Sequence, residues 1–222
     1  MISRARTQAE RTRATTDQLV AAGRELFANN GYDPTFLDAV VERARVTKGA
    51  LYHHFDGKRA LFAAVYEAEQ RSIARAVNVA AGKEDNSWKA FLAGCQAFFD
   101  AATDSGFQQI LIDAPAVLGW KDMRDIEDRH LMAMIKQGLS QAMDGGHIKR
   151  RRVDPLAHQV HGAMCEAAMV IARSDDPEHE AHEAMSALTE LLNGLVSPPK
   201  ARGRASKPTR SSRSRIRASS ER

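Results

Sequence analysis

Cysteine is nearly missing from this chain, with only Cys95 and Cys165 among 222 residues. Two thiols so far apart form no disulfide framework and suit a reducing compartment. Aromatic residues make up only 6% of the chain, and the seven prolines and fourteen glycines mark breaks without dominating any stretch. No run approaches the roughly 18 apolar residues that a membrane span needs. The opening Met1-Ile-Ser-Arg-Ala-Arg is basic but has no apolar core of the kind that marks a secretory signal. These features lead us to expect a cytoplasmic protein without a membrane partner. Also missing are a Gly-rich phosphate loop and a Gly-x-Ser-x-Gly elbow, and acid pairs such as Asp175-Asp176 fall where a helix start explains them. We therefore read no catalytic residues, no cofactor and no enzyme.

The chain has a 43% hydrophobic content, enough to bury a core. Its net charge of +4 is unevenly spread. Residues 198–222 hold nine Lys or Arg and one Glu, a net of +8, which leaves the preceding residues near −4. That tail is rich in Ser, Pro and Gly and has almost no apolar residues. On composition it reads as a disordered basic arm suited to non-specific contact with DNA, or simply as a solvating tail.

Elsewhere the apolar residues recur at helical spacing, and no strand or repeat is evident. Helix one is expected from about Gln8 to Asn30, stopped at Asn29-Asn30-Gly31, with Leu19, Val20, Gly23, Leu26 and Phe27 inward. A fourth helix should start near Lys58 and run to Gly82, and a fifth from about Ser87 to Thr103. The stretch from Phe107 to Trp120 is expected to break at Pro115. A long amphipathic helix from about Trp120 to Met143 follows. Asp154-Pro155 and Asp176-Pro177 each read as an N-cap with proline at the first helical position, opening the last two helices.

The run from Gly31 to Phe55 is the most informative. Thr35 is expected to cap a short helix whose apolar face is Leu37, Val40, Val41 and Ala44. Thr47 caps a second one, in which Leu51 and Phe55 point inward while Lys48, Gly49, Tyr52 and His53 face out. Two short helices with a polar, basic and aromatic outer face form a helix-turn-helix, whose second helix enters the DNA major groove.

At these residues the chain resembles the TetR family of transcriptional regulators. Gly31-Tyr32, Thr35, Val46 and Thr47-Lys48-Gly49-Ala50-Leu51-Tyr52-His53-His54-Phe55 fit the family pattern, and Lys58, Leu61 and Phe62 fit the start of its helix four. Upstream, Leu19-Val20 and Leu26-Phe27-Ala28 fit its helix one. The match covers about residues 12 to 70. Phe36 stands where Ser or Thr is common, and Arg45 where the turn usually has Gly. A left-handed non-Gly residue costs about 1–2 kcal/mol. So either the turn relaxes, or Arg45 is kept for a purpose such as touching phosphate.

The resemblance implies an all-α protein with a three-helix DNA-binding domain over residues 1–57, including a basic N-terminal arm. Residues 58–196 would form a larger helical effector-binding and dimerisation domain, and residues 197–222 the basic tail. It implies a homodimeric, ligand-responsive regulator on a palindromic operator, most simply a repressor released by a small apolar or amphipathic molecule. The alternatives are an activator or a ligand-independent, non-specific DNA binder. The DNA-contacting candidates are Thr35, Phe36, Arg45, Thr47, Lys48, Gly49, Ala50, Tyr52, His53 and Lys58. Lys48 is the best reader of a guanine edge, and Thr35 and Lys58 are placed on phosphate.

The segment Ile112 to Trp120 resembles a motif of one group of TetR-type effector domains and puts a movable pocket roof at the junction of the sixth and seventh helices. Candidate ligand-binding residues are Phe91, Cys95, Phe98, Phe99, Phe107, Ile110, Asp113, Trp120, Met123, Met134, His161 and Glu166, with His130 a further polar candidate. Such cavities are mostly apolar with a few polar anchors, and seven of the eight methionines fall between 123 and 185. In helix eight Leu156, Val160, Ala163, Met164, Ala167 and Ile171 form one face. In helix nine Ala181, Ala184, Met185, Leu188, Leu191, Leu192 and Leu195 do so. By the resemblance these faces pair with a second copy. His158, His161 and Cys165 have a metal-compatible i, i+3, i+7 spacing, and His179 and His182 sit on an acidic face. Neither group shows a full ligand set, and we assign no metal.

Overall fold

The computed structural model of the chain describes residues 7–196. The first six residues of the expected basic arm and the tail from residue 197 lie outside them. Regular structure among the described residues is helical apart from one antiparallel bridge between Ile148 and Val196. The elements are α1 (Gln8–Asn30), α2 (Leu37–Ala44), α3 (Lys48–His54), α4 (Gly57–Ala81), α5 (Ser87–Ala102), α6 (Ser105–Glu127), a π-helical turn at Asp128–Met132, α7 (Ala133–Asp144), α8 (Val153–Arg173) and α9 (Pro177–Asn193).

A capping box opens α1, as Glu10 N–H donates to Thr7 Oγ1 and Thr7 N–H to Glu10 Oε2. Leu19, Ala22 and Phe27 of its inner face meet Leu61, Phe62 and Val65 of α4. Phe27, Tyr32 and Phe62 pack ring to ring, with centroids 5.1 to 5.8 Å apart. α2 and α3 close this small core with Val40, Ala44, Leu51 and Phe55. The 25 residues of α4 then run into a larger bundle, where α4, α5, α6, α7 and α8 surround Phe91, Phe98, Phe99, Ile110 and Leu139. At about 1.5 Å per residue, α4 is long enough to belong to both cores.

Several expectations change. Thr35 is not the cap of α2. Phe36 holds that position without a side-chain bond, while the Thr35 hydroxyl, 2% exposed, donates to the Gly31 and Leu26 carbonyls. Two backbone carbonyls are thereby tied together where α1 turns into α2. Pro115 does not break α6. It sits on the exposed side, while Leu111, Ala114 and Leu118 keep the helix anchored in the core. The break comes four residues later at Gly119, with φ 76° and ψ 162°. A Cβ there would meet nothing within 4 Å, so glycine is required for its backbone angles and not for space. The expected seventh helix is accordingly the second half of α6, the π turn and α7. α8 begins at Val153 with Arg152 as cap, and Asp154 instead pairs with Lys136 at 2.7 Å. α9 starts as expected, with Asp176 accepting from His179 N–H and Pro177 in the first turn.

The apolar faces read in α8 and α9 mostly point inward. Leu156, Val160, Met164, Ile171, Ala181, Leu188 and Leu192 are buried within this one chain. What faces outward is a smaller strip containing Ala163, Val170 and Leu191, with Leu191 70% exposed.

Candidate functional site

The turn between α2 and α3 does not relax. Arg45 takes the left-handed conformation, φ 55° and ψ 43°, and is the one non-glycine residue with positive φ among those described. Arg45 N–H donates to Glu42 O, and Val46 N–H to Val41 O. Thr47 then caps α3 by accepting from Ala50 N–H at 3.1 Å. Leu51, with no exposure, and Phe55 anchor α3 below, and His54 Nδ1 meets Thr16 Oγ1 at 3.2 Å to tie it to α1. His54 was not singled out from sequence, and its ring is part of the support.

With that side fastened, Arg45, Thr47, Lys48, Gly49, Tyr52 and His53 are exposed, Ala50 is half-buried, and Phe36 is exposed beside them at the start of α2. Phe36 at 72% and Tyr52 at 54% are the most exposed aromatic rings of this face. An exposed Phe costs solubility unless it has a partner, and thymine methyl groups or sugars suit it. Lys48 pairs with Asp38 of α2 at 2.6 Å, which steadies its flexible stem across the turn. Lys58 Nζ is engaged with Asp33 O at 3.0 Å and lies 4.2 Å from the Tyr32 ring centroid. Its charge still faces outward, but the side chain is held by its own neighbours. Thr35 is buried and both of its hydroxyl contacts are internal, which removes it as a phosphate ligand.

The second region lies in the large bundle and comprises two cavities that share Phe98 and Leu131. One, about 450 Å³, lies between the ends of α4 and α5 and α7, and includes Phe91, Cys95, Met134 and His161 in its wall. The other, about 300 Å³, is enclosed by α4, α6 and α8, with Phe107, Trp120, Met123 and Glu166 in its wall. Nine of the twelve residues named from sequence thus line one or both. Phe99 and Ile110 are plain core, and Asp113 instead accepts from Tyr32 N–H at 2.8 Å, at a groove between the two cores. His130 is tied to Glu67 at 3.1 Å.

A polar cluster stands between the two cavities. Tyr66 Oη donates to Glu127 Oε1 at 2.8 Å, Arg124 Nη1 lies 3.3 Å from Glu127 Oε2, and the same nitrogen donates to His161 Nδ1. Cys165 Sγ approaches His161 Nε2 at 3.5 Å and Glu127 Oε2 at 3.9 Å. Burial pushes Glu127 above the usual carboxylate range, against the Tyr66 bond and the Arg124 charge, and raises Tyr66 well above an ordinary phenol. Burial and then the Arg124 charge lower His161 to about 4, so its ring is neutral near pH 7. Burial lifts the Cys165 thiol to about 12. The metal-compatible trio read along α8 is not assembled, because His158 is exposed. Glu127, His161 and Cys165 do converge within 4.8 Å. The Arg124 guanidinium also stands among them, 3.3 Å from Glu127 Oε2.

Tyr66, Gln70, Arg124 and Glu127 are among the cavity residues that sequence reading missed. Tyr66 and Gln70 carry a faint signal, as polar groups at i and i+4 on the buried stripe of Phe62, Val65 and Ile73. A further missed residue is Arg59. Its Nε donates to Val117 O at 3.1 Å, and its Nη2 to Leu118 O at 2.8 Å and Asp122 Oδ2 at 2.6 Å. It thus joins the first turn of α4 to the carbonyls beside the Gly119 kink, directly before the cavity residues Trp120, Met123 and Arg124.

The family model "Bacterial regulatory proteins, tetR family" matches residues 19–65, the helix-turn-helix and its flanks. "Tetracyclin repressor-like, C-terminal domain" matches residues 88–195. The crystal structure of a TetR-family transcriptional regulator from Pectobacterium atrosepticum is 31% identical, covering 88% of this chain and 100% of that one, with a TM-score of 0.76. The chain belongs to the TetR family. The transposon Tn10 TetC protein of Escherichia coli is 27% identical over 165 residues, 73% of this chain and 82% of that protein. The fold alone is shared with RolR, solved in complex with resorcinol, at 18% identity and a TM-score of 0.66 over 83% of this chain and 90% of that one. This TetR-family protein is therefore a transcriptional regulator with a helix-turn-helix DNA-binding domain, of a family whose members are not enzymes, act as dimers and respond to small-molecule effectors. No helix of the described residues is long and apolar enough to cross a membrane.

Proposed function

We propose that this regulator is a homodimeric repressor that leaves a palindromic operator when a small apolar or amphipathic molecule enters the bundle of α4 to α8. Residues 1–57 serve as the DNA-binding part, 58–196 as the effector and dimer part, and 197–222 as a basic tail. The observation that carries the reading is the Arg59 clasp. Because it bonds to the carbonyls at the Gly119 kink, any ligand that displaces Trp120, Met123 or Arg124 pulls on the first turn of α4. α3 packs on the same small core as that turn, so its position relative to a second copy changes with it. Binding two half-sites requires a fixed spacing of the recognition helices, and a small change in spacing lowers affinity steeply.

In contact with DNA, Lys48 and Gly49 are assigned to base edges, and Tyr52, His53, Thr47 and Arg45 to phosphates or thymine methyls. The outward strip with Ala163, Val170 and Leu191 on α8 and α9 is assigned to the dimer contact. The crystallised complex of RolR with resorcinol supports a small organic effector for this fold, without naming the one used here.

Selection of bound duplexes from random sequence, repeated with a metabolite panel, tests this reading. The expected result is a palindrome with half-sites about 10 base pairs apart, lost with at least one compound. A reporter downstream of that sequence then gives the sign of regulation. Binding that chooses no sequence and ignores every compound would overturn the reading. It would favour the rival of a non-specific DNA binder, which the net +8 of residues 198–222 supports.

A further inference from the structure

The cavity of about 300 Å³ has a feature that packing alone does not explain. Gln70 of α4 lies in its wall, is 3% exposed, and its Oε1 has no hydrogen-bond partner. A buried amide oxygen without a partner is uncommon and costs stability until something donates to it. Of the wall's other polar groups, Tyr66 donates to Glu127 and Arg124 is shared between Glu127 and His161, while Glu166 and Arg173 are exposed to water. The wall is therefore short of one donor.

We propose that the effector of this cavity is a neutral, hydroxylated aromatic compound whose O–H donates to Gln70 Oε1. This deepens the ligand-response reading and rests on it. The remaining wall fits a flat apolar body, with Phe98 and Phe107 as aromatic faces and Met123 and Met169 as adaptable sulfur-bearing ones. Trp120, 69% exposed and with the Arg124 guanidinium carbon 4.6 Å from its ring centroid, covers the outer side. Beside Gln70 a neutral group fits best, because an anion would meet the Glu127 carboxylate while Arg124 is already taken, and the wall's other charged groups, Glu166 and Arg173, are exposed. A ligand seated on Gln70 also touches α4 itself, four residues after Tyr66 and on the helix that carries Arg59.

The full chain is tested with four probes of similar shape: naphthalene, 2-naphthol, 2-methoxynaphthalene and 2-naphthoate. Calorimetric binding and release of the selected operator are both measured. 2-Naphthol should bind on the order of tenfold or more tightly than the methyl ether, which keeps the oxygen but cannot donate. Gln70→Met, close in size, should bring 2-naphthol down to the level of the ether while leaving the ether unchanged. Equal binding of ether and naphthol in the unmutated protein overturns the proposal without any variant. So does a preference that survives in Gln70→Met. Operator release by naphthalene or naphthoate but not by naphthol overturns the ligand class and leaves the ligand-response reading standing. If no probe binds, the class is wrong, and a metabolite panel that leaves the operator occupied removes the ligand response as well.

Discussion

Replacing Arg45 with glycine separates what that side chain costs the fold from what it does on DNA. Arg45 is left-handed, and a Cβ in that conformation costs about 1–2 kcal/mol. Glycine removes this strain but adds freedom to the unfolded chain, returning about 0.5–1 kcal/mol of it. Arg45 is exposed, so the loss of side-chain packing is small. The net gain is about 0–1.5 kcal/mol, or up to roughly 6 °C in Tm for a chain of this size. On DNA the sign reverses. If each copy of Arg45 neutralises one phosphate, the slope of log K against log salt flattens by about 0.9 per contact, about 1.8 for a dimer. Thermal unfolding by circular dichroism at fixed protein concentration reads the first effect, and anisotropy of labelled duplex between 50 and 200 mM salt (about the range over which the electrostatic share is lost) reads the second. Arg45→Ala is the control, because it loses the charge but keeps the Cβ, so it should flatten the slope without raising Tm. An Arg45→Gly protein that melts below the unmutated one, or that keeps its salt slope, would refute the reasoning.

Lys48→Ala should weaken operator binding by about tenfold to a hundredfold and relax preference at one base pair per half-site. Lys58→Ala should weaken all sequences by a similar factor, and the reverse pattern in a binding-site selection would exchange their roles. Val170→Asp and Leu191→Asp together should give monomers that remain helical, measured by sedimentation. Leu188 is the wrong position for this test, because it is buried within the chain and a charge there unfolds the protein. His161 is held neutral at about 4, so an unfolded chain binds its proton first. Its contribution to stability is therefore fully present above about pH 6.5 and is lost as pH falls toward 4, by roughly 3 kcal/mol. The raised Glu127 works in the opposite direction, contributing below about pH 4.5 and losing this as pH rises. Urea unfolding of His161→Gln beside the unmutated protein isolates the histidine, and parallel stability curves from pH 4 to 7 would refute its assignment. Removing residues 197–222 should flatten the salt slope on non-specific DNA while the same operator remains protected, and an unchanged slope would take the tail off DNA.

Local chemistry determined much of this protein. Helix positions follow from 3.6-residue periodicity, from glycine at the ends and from caps such as Asp176 and Thr47, all of which act within a few residues. The helix-turn-helix is legible for the same reason, since its inward and outward residues are spaced along a single short stretch. What failed to read was decided across the chain. Thr35 looked like a cap because capping is a local rule, and only the approach of the Gly31 and Leu26 carbonyls turned its hydroxyl inward. Pro115 looked like the break because it lacks an N–H, yet burial of Leu111, Ala114 and Leu118 outweighed that one bond, and Gly119 yielded instead. The faces of α8 and α9 looked like an interface because periodicity reports that a face is buried and not what buries it. The meeting of Tyr66, Glu127, Arg124, His161 and Cys165 joins three helices distant in sequence, and the grip of Arg59 on the kink spans 58 residues or more. Such contacts depend on how helices pack, which no single helix encodes.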